Sequence, residues 1–128
     1  MNIFFLHRDP SRAAKAQCDK HVVKMVLETT QMLSTAARRH DYDVGYKSAY
    51  PKHPMTIWVG DTWDNFHWAM MHAEALSIEY TFRFRKFHKC HQVLNDIASA
   101  VKLSSRNIND ITTPPLCMPD EFKQDDFV

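Results

Sequence analysis

The sequence predicts an all-α fold: a single compact helical domain (1–128) in which two long helices enclose a polar cleft, with an irregular tail over about 104–128. Three observations predict it. Apolar residues make up 45% of the 128 positions, enough for one real core. Only two glycines are present, Gly45 and Gly60, which disfavours a turn-rich β-sandwich and excludes a glycine-rich phosphate loop. Two long stretches repeat their apolar residues at helical spacing.

Residues 2–6 are strongly apolar and read as a short strand or an extended segment on the core. Asp9-Pro10 is a helix start, with Asp as N-cap and Pro at the first helical position. That short helix runs to about Cys18. Asp19 then caps a long helix reaching about Arg39, where Arg38, Arg39 and His40 suit the negative end of the helix dipole. Residues 41–56 read as a loop with Gly45, Pro51 and Pro54, and Ile57-Trp58-Val59 re-enter the core as a helical turn. A second long helix starts at Asp61 or Thr62 and runs to about His88. A further helix covers about Val93 to Val101. Pro114, Pro115 and Pro119 make the remainder irregular. There is no internal repeat.

Net charge is +1 with His neutral, so no global cationic field exists. Charge is uneven, however. Arg83, Arg85, Lys86 and Lys89 cluster with His88 and His91, while Asp120, Glu121, Asp125 and Asp126 make the tail acidic. Three widely spaced cysteines argue against a disulfide framework. Cys18-x-x-His21 and Cys90-His91 each resemble half a zinc site without a convincing second pair, so no metal and no cofactor is expected. No apolar run approaches the roughly 20 residues of a membrane span. The start is too soon charged for a secretory signal, so a cytoplasmic protein without a membrane partner is expected.

The first long helix carries a polar stripe. At about 100° per residue, His21, Lys24, Glu28 and Gln31 share roughly one quarter of its circumference. Met25 and Met32 border them on one flank and Leu27 on the other, with Val22, Val23, Val26, Thr30, Leu33 and Ala37 opposite. The second long helix shows a wide apolar face from Phe66 to Phe87 and a separate polar line of Asn65, His72, Glu79, Arg83 and Lys86. Packed antiparallel, the two lines predict a cluster closed at one end by His53. A carboxylate, imidazoles and cations brought together have the parts for acid–base work. Each member also has a plainer reading. Lys24–Glu28 and Glu79–Arg83 are ordinary i,i+4 pairs, His21 and His72 suit structural roles, and Trp58, Trp63 and Trp68 suit core packing.

The stretches Cys18 to Glu28, His53 to Val59, Glu79 to Arg83 with Lys86 and His88, and Met118 to Lys123 resemble a group of small phage and bacterial proteins. That group is often labelled pyrimidine dimer DNA glycosylase of the endonuclease V type. The resemblance implies an all-α repair enzyme that attacks the sugar C1′ with an amine, forms a Schiff base and uses a helical glutamate for acid–base steps. Glu28 stands at the glutamate's place. Enzymes of that type use the amine of a small second residue, whereas this chain has Asn2, so Lys24 becomes the candidate amine.

The leading expectation is therefore base excision and strand cleavage on damaged or modified DNA. Glu28, Lys24 and His21 are the catalytic candidates, and Gln31, His53, His72, Glu79, Arg83, Lys86 and His88 the substrate-binding groups. A second expectation is a non-enzymatic protein of a phage accessory, counter-defence role, whose cleft holds a nucleotide or other phosphorylated small molecule. A purely structural domain and a metal-dependent hydrolase are the remaining alternatives.

Overall fold

A computed structural model describes residues 9–15, 17, 19–101, 111, 112 and 114 of the chain. Among them are five helices: α1 (Pro10–Lys15), α2 (Asp19–Arg39), α3 (Pro54–Asp61), α4 (Trp63–Phe84) and α5 (Cys90–Val101). The all-α class is as the periodicity predicts. The expected strand or extended segment at 2–6 and nearly all of the expected irregular tail lie outside the described residues.

Local chemistry explains most of the boundaries. The Asp9 carboxylate accepts the backbone N–H of Ser11 at 2.9 Å and starts α1. Thr62 caps α4 by accepting the Asn65 N–H at 3.0 Å. Three boundaries correct the sequence reading. The loop after α2 ends at His53, because the His53 ring accepts the Met55 N–H at 3.2 Å and Pro54 opens α3. Helix α4 stops at Phe84, four residues early, because Arg85 turns left-handed (φ 59°) and gives its N–H to the Thr81 carbonyl at 2.9 Å. No glycine marks that stop. His88 then accepts the Cys90 N–H at 3.0 Å and starts α5 three residues before the predicted position.

Helices α2 and α4 run antiparallel. At one end Arg83 of α4 pairs with Asp19 of α2 at 2.9 Å. At the other, the His40 ring bonds to the Gly60 carbonyl at 2.7 Å and Arg39 pairs with Asp61 at 3.2 Å. Between these ends Met32, Leu33, Ala36 and Ala37 join Phe66, Ala69, Met70 and Ala73 in the main core, closed by Leu94 and Ile97 of α5 and by Met55, Trp58 and Val59 of α3. A smaller cluster of Ala14, Val22, Met25, Val26, Leu76 and Cys90 fills the α1 end. Val23, read as part of the buried side, is instead 43% exposed.

The loop from 41 to 53 is tied down along α2. Gly45 sits at φ +79° against Ser34, whose hydroxyl accepts the Tyr46 N–H at 3.1 Å. The Tyr46 hydroxyl meets the buried Cys90 thiol at 3.4 Å, and this contact, with burial, pushes the phenol up to about 12. Further on, Thr35 donates to the Ala49 carbonyl and accepts the Ala49 N–H at 2.9 Å.

Candidate functional site

The α2 stripe forms as predicted. His21, Glu28 and Gln31 are half-buried and Lys24 is exposed, while Met25 and Met32 on the flank are buried. The next residue along this face is Thr35, seven positions beyond Glu28. Thr35 therefore holds the loop at Ala49 over the C-terminal continuation of the stripe, and His53 follows four residues later. Among the described residues Lys24, Glu28 and Gln31 make no side-chain hydrogen bond or ion pair.

The polar line of α4 is different, and the expected facing of the two lines across a cleft is corrected here. Arg83 turns to the α1–α2 junction. Its Nε donates to Glu79 at 2.9 Å, Nη1 donates to the Gln17 carbonyl at 2.8 Å and to Asp19 at 2.9 Å, and Nη2 donates to the Lys15 carbonyl at 3.2 Å. These contacts raise its already high pKa further, against the opposing desolvation. All of this guanidinium is engaged in tying one part of the chain to another. Glu79 is engaged with it.

His72 is wholly buried, stacked on Trp68 with ring centroids 4.9 Å apart. Its Nδ1–H donates to the Pro10 carbonyl at 3.1 Å, which leaves Nε2 to accept from the Gln17 amide at 3.2 Å. Desolvation lowers its pKa to about 4 and outweighs the Pro10 bond, which acts the other way. A neutral, fully bonded imidazole under α1 is a packing element rather than a ligand for substrate. Asn65 is likewise structural, with its amide bonded to the Trp58 carbonyl and to Thr112 at 2.8 and 2.9 Å.

His53 and His88 share one role. Each ring accepts the backbone N–H two residues on and opens a helix. Partial desolvation lowers both pKa values and keeps the accepting nitrogen free of a proton. His88 is buried, with Tyr80 edge-on at 4.8 Å, and so is not a substrate contact. His53 is half-buried and its bonded Nδ1 leaves the proton on Nε2. Lys86 is exposed just beyond α4, on the side of the Arg83 clamp and not on the stripe.

The structure thus divides the expected residues into two groups. His21, Lys24, Glu28 and Gln31 remain one helix face, and His53 caps α3 four residues beyond the Ala49 that Thr35 holds. His72, Glu79, Arg83 and His88 hold the fold together. Gln17, which links His72 to Arg83 through its side chain and its carbonyl, was not singled out from the sequence, and nothing in its local pattern marks it. Thr35 was not singled out either, although helical spacing is a signal that places it on the stripe.

A small cavity of about 90 Å³ lies at the other end of α2, between His40, Tyr42, Asp61, Trp63 and Phe66. It holds a few waters at most and none of the expected site residues. Trp63 at its rim is 44% exposed, unlike the buried Trp58 and Trp68, and stacks on His40 at 6.0 Å. Among the described residues no group of three His, Cys, Asp or Glu side chains is placed to hold a metal, and no helix is long and apolar enough to cross a membrane. No family model, no curated protein and no solved structure matches the chain.

Proposed function

We propose that the protein acts on damaged or modified DNA, excising a base and cleaving the strand by a glycosylase/lyase route centred on the α2 stripe. One contrast carries this reading. Asn65, His72, Glu79 and Arg83 of α4 are engaged in internal bonds, whereas Lys24, Glu28 and Gln31 stand together on α2 without internal partners. A half-buried carboxylate one helical turn from an accessible amine is an acid–base pair available to an external reactant.

In this mechanism the Lys24 amine, having given a proton to Glu28, attacks the sugar C1′. The bond from C1′ to the base breaks, and the base leaves with the electron pair and takes up the proton held by Glu28, which returns to the carboxylate. Opening of the sugar ring, whose oxygen takes a proton from the attached nitrogen, gives a protonated imine. Glu28 then removes the C2′ proton, the bond from C3′ to the phosphate oxygen breaks, and the phosphate leaves. Water hydrolyses the imine and restores the lysine. Gln31, His21 and the Nε2–H of His53 line the approach and position the sugar and phosphate.

Borohydride trapping tests this. Incubation with duplex carrying a cyclobutane dimer or an abasic site gives a reduced, covalent protein–DNA adduct, and Lys24→Ala abolishes it. No adduct and no cleavage on either substrate overturns the proposal. Thermal stabilisation by free nucleotide without turnover instead supports a nucleotide-binding protein.

A further inference from the structure

The two ends of the bundle differ in how their cations are used. At the C-terminal end of α2, Arg38 pairs with Asp43 and Arg39 with Asp61. At the opposite end Arg83 draws the Lys15 and Gln17 carbonyls and Asp19 onto the C-terminus of α4. That clamp brings the backbone at Lys15 and the start of α2 to the C-terminus of α4; Lys15 and Lys20 are exposed there, as are Arg85, Lys86 and Lys89 of the α4–α5 turn. Asp19 and Glu79, the carboxylates of the clamp, are both held by Arg83, and Glu74 lies within electrostatic reach of His91. Lys15, Lys20, Arg85, Lys86 and Lys89 are thus all exposed at the two chain junctions that meet at this end, although the chain as a whole is close to neutral.

The same end exposes two phenyl rings. Phe82, in the last turn of α4, is 71% exposed, and Phe87, in the turn that follows, is 73% exposed with the His91 ring 5.4 Å away. Single exposed hydrophobes are ordinary on a protein surface. Phenyl rings set among unpaired cations are the combination that binds a nucleic-acid strand: cations take phosphates and rings take base faces. A duplex keeps its base faces stacked, so the rings gain nothing from it. An unpaired strand offers those faces freely.

We infer that the end of the bundle formed by the α1–α2 and α4–α5 junctions is a docking surface for single-stranded DNA, holding phosphates with Lys86, Lys89, Arg85, Lys15 and Lys20 and stacking bases on Phe87 and Phe82. The inference deepens the proposed function by naming the form of substrate: DNA with unpaired bases at or beside the lesion. Lys24 lies on the first turns of α2, next to this end, so a strand docked here leads to the stripe.

Fluorescence anisotropy with a labelled dT20 and with a 20-base-pair duplex tests it. The single strand binds at least about tenfold more tightly, and log Kd changes with log salt with a slope that falls by about 0.7 for each phosphate-contacting lysine removed. Lys86→Ala and Lys89→Ala each lower that slope, whereas Lys47→Ala, which removes an equal charge from the loop over α2, leaves it unchanged. Phe87→Leu keeps an apolar side chain and loses stacking, so affinity for dT20 falls about tenfold with no change in slope. All these residues are exposed, and an unchanged melting temperature confirms that each variant is folded. Equal affinity for duplex and single strand overturns the inference, as does a Phe87→Leu variant that binds like the parent. Tighter binding to an RNA strand of the same length also overturns it, by assigning the surface to RNA. Trapping reads the amine on the stripe and anisotropy reads the cations and rings at the end of the bundle, so trapping can fail with docking intact, and docking can fail with trapping intact.

Discussion

Gln17 and His72 meet side chain to side chain, 3.2 Å apart and 55 residues apart in the chain. The Gln17 amide donates to His72 Nε2 while its carbonyl accepts from Arg83, so one residue joins the buried histidine to the surface clamp. This junction decides which of the molecule's polar groups are internal.

Acid should weaken the protein through His72. Its folded-state pKa is about 4 against 6.5 for the free side chain, so between those values the unfolded chain binds the proton and the folded chain does not. The stability is fully present above pH 6.5 and is lost as pH falls toward 4, by about 3 kcal/mol. Urea melts at pH 7.5 and pH 4.5 give that difference. His72→Phe removes most of it, and a slope unchanged in the variant assigns the effect elsewhere.

Arg83→Ala should cost about 2 kcal/mol, because Glu79 and the Lys15 and Gln17 carbonyls lose their donor together. Arg83→Lys restores only part of it, since one ammonium cannot reproduce a fork that serves four acceptors. Thermal melts of the two variants, compared with the parent, measure the ranking.

Gly45→Ala should destabilise by about 2 kcal/mol. Gly45 has φ +79°, and a methyl group there meets the Ser34 hydroxyl at 2.4 Å and Ser34 Cβ at 2.9 Å. Ser34 cannot easily turn away, because its hydroxyl also donates to the Thr30 carbonyl at 2.8 Å. Adding Ser34→Ala removes the nearer clash but not the backbone strain, so denaturant midpoints recover only in part.

Glu28→Gln and Lys24→Ala should leave stability within about 0.5 kcal/mol of the parent, since neither side chain has an internal partner. The same variants lose borohydride adduct. A large drop in melting temperature for Glu28→Gln instead makes the stripe a structural element.

Much of this protein was legible in its sequence. Helical periodicity placed α2 between about Asp19 and about Arg39, put His21, Lys24, Glu28 and Gln31 on one face and put Phe66, Ala69, Ala73 and Leu76 on an apolar face that the structure buries. Asp9-Pro10 marked the start of α1. The missed boundaries have one cause. His53 and His88 are unusual helix caps, and Arg85 stops α4 in a conformation that glycine normally supplies, so residue type did not announce them.

Periodicity belongs to a single helix, where each residue's direction follows from the local backbone, so the sequence alone determined the helices and the composition of each face. Whether a polar face serves a ligand or the fold depends on what arrives from elsewhere in the chain. Only the tertiary structure decided that, by setting Gln17 against His72 and the Lys15 carbonyl against Arg83, 68 residues away. A buried polar group needs a partner, and those of His72 and Arg83 on α4 come from α1 and the α1–α2 junction, whereas Lys24, Glu28 and Gln31 of α2 meet no side chain brought from elsewhere in the fold.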